Sequence, residues 1–237
     1  MQFRDEVRPF GDEFDSTLDT IEDIWRRRER EYAIDESTGL ARRRAFLQHL
    51  VALLEMPETP LVGAIGVLFI DVDQLKRIND TFGHGTGDRA VAAAGAIIRD
   101  TLRVDRNIDF LARTRVDDED YSVSRHGGDE FLVALELRYP GDIDVVATRI
   151  KQNVDDPEKQ RAHGYDAPSP LTVSLGGVVY ELGAAPPPFP PHALARELVS
   201  AADQQMYDSK RDGRVHLVAA RMADKLDVDR EHVRVLS

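Results

Sequence analysis

Four carboxylates stand where phosphoryl chemistry can use them. Asp71 and Asp73 close an apolar run over residues 62–72, where burial makes an unpaired charge costly. Asp129 and Glu130 follow His126-Gly127-Gly128, between strand-like runs at 121–125 and 130–137. Gly-Gly between two such runs is a hairpin signal, because glycine accepts the positive φ of a tight turn. On neighbouring strands, the acidic strand end and the hairpin tip would form one site. A hard cation such as Mg²⁺ takes oxygen ligands, keeps some water and is commonly shared with substrate phosphates. Two carboxylates from adjacent strands therefore suit metal-assisted phosphoryl transfer. The structural alternative also stands, since aspartates at strand ends cap turns and helices.

Other chemistries find little support. With no Cys in 237 residues, a disulfide framework and a thiolate metal site are excluded, and a reducing cytoplasm is the expected compartment. There is no phosphate loop ending in Gly-Lys-Ser/Thr. Gly83, Gly85 and Gly87 fail the dinucleotide fingerprint at Asp88. The seven His lack metal-ligand spacing, and no serine sits in a nucleophile elbow. A net charge of -12 opposes binding to nucleic acid or to an anionic membrane. Neither a membrane-spanning run nor a signal peptide is expected from the apolar pattern.

The elements that must position these acids read as follows. In residues 1–34, Phe14, Leu18, Ile21, Trp25 and Tyr32 form a heptad-like stripe interrupted at Arg28. That stripe suits a helix on its own domain or a short parallel coiled coil. A helix is expected from about residue 41 to 54, with Phe46, Leu50 and Leu53 inward and Pro57 and Pro60 beyond its end. Then come a buried strand to residue 72, a helix over 87–102, the hairpin, a helix near 143–154, a strand near 171–180 and a helix near 192–209. Residues 215–219 suit an edge strand, and a polar tail is expected beyond Arg221. This order predicts an α/β fold, a mixed central sheet flanked by helices. The expected domains are 1–34, 35–220 and a tail over 221–237.

Taken together the blocks are more specific than any part. Phe69-Ile70-Asp71-Val72-Asp73-Gln74-Leu75-Lys76-Arg77-Ile78-Asn79-Asp80-Thr81-Phe82-Gly83-His84, then Gly87-Asp88, resembles the first signature of GGDEF-domain diguanylate cyclases. Ser124-Arg125-His126-Gly127-Gly128-Asp129-Glu130-Phe131 carries the motif that names that family. Asp35, Thr38-Gly39-Leu40 and Arg43 resemble its amino-terminal turn, Thr172-Val173-Ser174-Leu175-Gly176 its last long strand, and Ala202-Asp203, Met206-Tyr207, Lys210 and Gly213-Arg214 its last helix.

The resemblance implies a palm-like, nucleotidyl-cyclase-like fold and the condensation of two GTP molecules into cyclic di-GMP. In such an enzyme Asp71, the carbonyl of Val72, Asp129 and Glu130 would hold Mg²⁺, with Mn²⁺ as a substitute. Asp129 would take the proton from the attacking 3′-hydroxyl, and Glu130 would be the firmer ligand. Gln74, Leu75 and Lys76 would cradle the triphosphate, joined by Lys210 and Arg214 from one helix face, with His84 beside the substrate. Asn79 and Asp88 would recognise guanine, whose N1–H and amine are adjacent donors that adenine lacks. Each subunit would carry half a site, so catalysis implies a homodimer, which an amino-terminal coiled coil would favour.

Two alternatives and one departure accompany this reading. A catalytically silent GGDEF domain would bind GTP or dock a partner, although such domains usually lack the acids present here. A palm-domain polymerase of the CRISPR-associated kind shares the fold but leaves Asn79, Asp88 and the Lys210/Arg214 pair unexplained. The family's inhibitory product site, Arg-x-x-Asp, is expected to be absent. The matching positions read Asp118-Glu119-Asp120-Tyr121, and Arg115 to Asp118 has the pattern three residues too early.

Overall fold

The buried apolar run becomes β2 (Ala64–Val72), and all nine of its residues are buried. A strand covered on both faces needs no polar alternation, which is why it reads as a continuous hydrophobic run. It lies between β5 (Glu130–Leu137) and β6 (Val173–Glu181), antiparallel to both. In this computed structural model the described residues are 33–55, 62–103, 112–113, 121–183, 189–222, 226–228 and 234–236. They belong, from Asp35 on, to one compact unit. The stripe from Phe14 to Tyr32, Arg115 and Asp118 lie outside the described residues.

β1 (Ala41–Arg42) and β4 (Val123–Gly127) extend the sheet beyond β5, and β7 (Val215–Met222) and β8 (Leu226–Val228) extend it beyond β6. Two short strands pair at its margins, β3 (Ala112–Arg113) with β5 and β9 (Arg234–Leu236) with β7. The order β1-β4-β5-β2-β6-β7-β8 mixes parallel and antiparallel neighbours, as expected. Beyond Arg221 the expected polar tail is replaced by β8 and β9, both hydrogen-bonded to β7.

Alternation along β2 divides the core in two. Leu68, Ile70 and Val72 point towards α3 (His84–Arg103) and α4 (Asp142–Asp155), whose Ala94, Ile97, Ile98, Val146 and Ile150 fill the first cluster. Ile65, Val67 and Phe69 point the other way, onto Phe46 and Leu50 of α1 (Arg43–Glu55) and Leu194, Leu198 and Met206 of α6 (Pro191–Asp212). Each fully buried Leu or Ile contributes about 2 kcal/mol. By the same period of two, Asp71 belongs to the face that α6 covers.

Two helices were not expected. α2 (Leu75–Phe82) buries only Ile78, so no apolar stripe betrays it. α5 (Pro157–Ala162) is one short turn begun by Asp156, whose carboxylate accepts from the Glu158 amide. The first residues expected in α1, Ala41 and Arg42, instead pair with Ser124 and Arg125.

Candidate active site

Asp71 and Glu130 are direct cross-strand neighbours at the open end of β2 and β5. The turn between β4 and β5 is two residues, Gly128 and Asp129. Gly128 takes φ 41°, the left-handed conformation that Gly-Gly makes available. The Asp129 carbonyl accepts the Val72 amide at 3.1 Å, so the turn is tied to the end of β2. Asp71, Val72, Asp129 and Glu130 are therefore adjacent on the backbone.

Lys210, near the end of α6, donates to Asp71 Oδ2 at 2.8 Å. Asp71 is 5% exposed. Burial pushes its carboxyl up to about 6, against the pull of Lys210 and with the push of Asp129 and Glu130. Glu130 is raised too, first by burial and then by the charges of Asp129 and Asp203. Lys210 is itself raised, its pairing with Asp71 outweighing its partial desolvation. The three acids thus repel one another at the end of a strand, and one ammonium stands among them.

Among the described residues no three His, Cys, Asp or Glu side chains converge tightly enough to hold a metal by themselves. The donors still fit a hard cation. Asp71 is a buried carboxylate paired with the Lys210 ammonium, and further carboxylates lie at the neighbouring positions. A Mg²⁺ ion usually completes its shell with water and substrate phosphate.

The titration of Asp71 gives a test. A carboxyl raised in the fold favours folding while protonated, and that contribution is lost as pH climbs from its unfolded value near 4 through 6. With chelator present, Asp71→Asn is expected to be more stable than the parent at pH 8, by up to about 3 kcal/mol, with the difference vanishing towards pH 4. Thermal melts of both proteins across that range check it. A difference independent of pH would assign the cause elsewhere.

Asp73 does not join the acidic set. The strand ends at Val72, and the Asp73 carboxylate accepts hydroxyls from Thr172 at 2.7 Å and Ser174 at 2.6 Å. It staples β2 to β6, the structural role open to a strand-end aspartate. Gln74 follows with φ 55° and ψ 27°, a left-handed conformation uncommon outside glycine. It turns the chain into α2, so that the amides of Leu75 and Lys76 begin that helix. Lys76 is exposed.

Asn79, in α2, lies against Gly87, in α3, and a Cβ on Gly87 would overlap the Asn79 carboxamide. Asn79 Oδ1 is buried without a hydrogen-bond partner. A buried unpaired acceptor costs about 1–3 kcal/mol, and such atoms often mark ligand sites. Asp88 is exposed on the first turns of α3, which His84, also exposed, begins.

Arg214 departs from its expected place. α6 ends at Asp212, and Gly213 takes φ 72° as its left-handed cap. Arg214 is thus beyond the helix, not one turn along it from Lys210, and its guanidinium lies 3.3 Å from Asp212. Sequence reasoning also passed over Arg125, two residues before the glycines. Its guanidinium donates to the Gly128 carbonyl at 2.7 and 2.9 Å and reaches Asp35 at 3.2 Å. Burial pushes Asp35 up, but bonds from Ser37, Thr38 and Arg125 outweigh it and bring its carboxyl down to about 2. Arg125 so holds the β4–β5 turn to the amino-terminal turn. The signal was present in the paired motifs, but their contact spans 90 residues.

The family described as "Diguanylate cyclase, GGDEF domain" matches residues 32–216. The chain belongs to the GGDEF family. Diguanylate cyclase DosC of Escherichia coli K12 is 31% identical over 187 residues, covering 78% of this chain and 34% of DosC. The chain thus spans about a third of the length of this relative. Among solved structures, the GGDEF domain of PA1120 from Pseudomonas aeruginosa is 27% identical, with TM-score 0.56, covering 78% of this chain and 93% of that one. The coiled coil and GGDEF domain of DgcB from Caulobacter crescentus, solved with c-di-GMP, has TM-score 0.61 at 22% identity. It covers 86% of this chain and 95% of its own, and it shares the fold. In this GGDEF domain the motif residues are those that meet at the end of β2. No helix among the described residues is long and apolar enough to cross a membrane.

Proposed function

We propose that this protein is a diguanylate cyclase, joining two GTP molecules into cyclic di-GMP as a homodimer with Mg²⁺. The observation that carries the proposal is the cross-strand pair of buried Asp71 and half-buried Glu130, at a strand end beside Asp129, with Lys210 bonded to Asp71. A resident divalent cation, held by Asp71, Glu130 and the Val72 carbonyl, would supply charge stabilisation at the α-phosphate. Asp129 takes the proton of the 3′-hydroxyl as that oxygen bonds the partner nucleotide's α-phosphorus and pyrophosphate leaves. Lys210 exchanges Asp71 for the triphosphate, joined by Lys76 and the first amides of α2. Arg214, at the end of α6, supports the same phosphates from outside the helix. Asn79 and Asp88 read guanine, and His84 borders the substrate. Residues 1–34 bring two such half-sites together. Each facing domain contributes one nucleotide.

Incubation with GTP and MgCl₂, with chromatographic separation of products, is expected to yield cyclic di-GMP. The initial rate should rise faster than linearly with protein concentration. GTP that binds and remains intact at high protein concentration would instead assign a binding module.

Gly87→Ala tests base recognition separately from folding. The added methyl displaces the Asn79 carboxamide, so KM for GTP is expected to rise about 10–100-fold. Alanine favours a helix by about 1 kcal/mol over glycine, so the melting temperature should hold or rise. Steady-state kinetics and a melt check both, and an unchanged KM would remove Asn79 from the base site.

A further inference from the structure

α1 and α6 cover the second core side by side, and between them the described residues leave a groove of about 630 Å³. Leu47 and Val51, one helical turn apart, form part of its apolar floor and pack only partly into the core beneath. Arg43 and Arg44 lie one turn before them, so this side runs over two turns of α1, about 12 Å. Across the groove stand His192 and Arg196 from the first turns of α6. The three arginines are all exposed, in a chain whose net charge is -12.

The shape and the charge select a ligand together. A trough between two helices, open along its length, matches the helix-in-groove mode of recognition, in which apolar side chains at i, i+3/i+4 and i+7 fill the floor. Arginines on both rims favour carboxylates, which a guanidinium binds in paired hydrogen bonds. An anionic bilayer is a poorer occupant, because a flat surface cannot reach the floor of a groove between two helices. The charge of Arg43 also reaches His126 and Glu130, so the groove opens close to the catalytic hairpin.

We propose that this groove binds an acidic amphipathic helix of a partner protein. Its apolar stripe rests on Leu47 and Val51, and its carboxylates pair with Arg44 and Arg196.

The test uses the full chain and two labelled synthetic helices of equal length. Both carry Leu at i, i+4 and i+7, flanked by Glu in one and by Lys in the other. Fluorescence polarisation is expected to show the Glu helix bound with a Kd on the order of 10 µM, weakening with salt. The double variant Arg44→Glu/Arg196→Glu should weaken that binding at least about tenfold and gain affinity for the Lys helix. Arg43 is left intact because its charge reaches the active site. Glu-helix binding indifferent to the double reversal would overturn the proposal, as would no binding up to about 1 mM. Sedimentation of the same proteins supplies the remaining outcome. Self-association that the reversal abolishes, without peptide binding, would give the groove to a second copy of this chain and overturn the partner helix.

Discussion

Glu130→Gln is expected to lower cyclic di-GMP formation about 10³-fold while leaving GTP binding nearly intact. Glutamine keeps the shape of glutamate and the ladder pairing with Asp71, so the fold has no reason to change. What disappears is the negative charge. In the parent, Glu130 stands partly buried beside Asp129, and its carboxyl is raised because burial and neighbouring acids disfavour the charged form. A carboxylate held there against repulsion is poised to take up a cation, and the neutral amide is a much weaker ligand. A loss of about 10³ corresponds to about 4 kcal/mol of transition-state stabilisation, in the range of one removed electrostatic contact. Single-turnover product analysis and equilibrium binding of a non-hydrolysable GTP analogue separate the two effects. Equal turnover would take Glu130 out of the chemistry. Parallel loss of binding and turnover would make it a substrate-binding group.

The same carboxylates show how far the sequence could be read. Asp71 and Glu130 were legible because an apolar run ending in acids and a Gly-Gly turn each carry a local signal. Their direct pairing required only that the two strands be neighbours. Asp73 was ambiguous for a physical reason. Residues two apart share a strand face only while the strand lasts, and β2 stops at Val72, so Asp73 turns to Thr172 and Ser174. Arg214 was misplaced by the same kind of error, an assumed helix continuing past its glycine cap. α2 left no trace in the hydrophobic pattern because one inward residue, Ile78, holds it. β8 and β9 were missed because pairing to an edge strand depends on backbone groups, whose partners composition does not reveal. Clearance is the least legible property of all. Nothing in the order of residues states that Gly87 makes room for Asn79, or that Gly176 makes room for a helix.

Gly176→Ala is expected to cost about 4 kcal/mol and to remove activity even where the domain stays folded. Gly176 lies on β6 between Phe69 of β2 and His216 of β7, so its backbone cannot shift without breaking two ladders. A Cβ there would overlap the backbone of Gln205 and Met206. Backbone cannot rotate aside as a side chain can, so α6 must lift from the sheet. Overpacking alone costs about 1–3 kcal/mol, and opposed backbones put this site at the top of that range. Lifting also breaks the bond from the Leu175 amide to Ser209 Oγ, 3.1 Å long and buried, which adds about 1 kcal/mol or more. For a domain of this size the melting temperature should fall by roughly 10 °C. Lys210 lies one turn beyond Met206 on the same helix, so the 2.8 Å contact with Asp71 is lost with the packing. Gly213→Ala provides the control. Gly213, unlike Gly176, holds a positive φ that alanine disfavours, but nothing lies near its Cβ, so only about 1 kcal/mol is expected. If the two variants melt together, α6 yields at little cost and its seating on Gly176 does not set the position of Lys210. If Gly176→Ala melts far lower and is inactive well below its midpoint, the closeness of one helix to one strand is what delivers the cation to the acids.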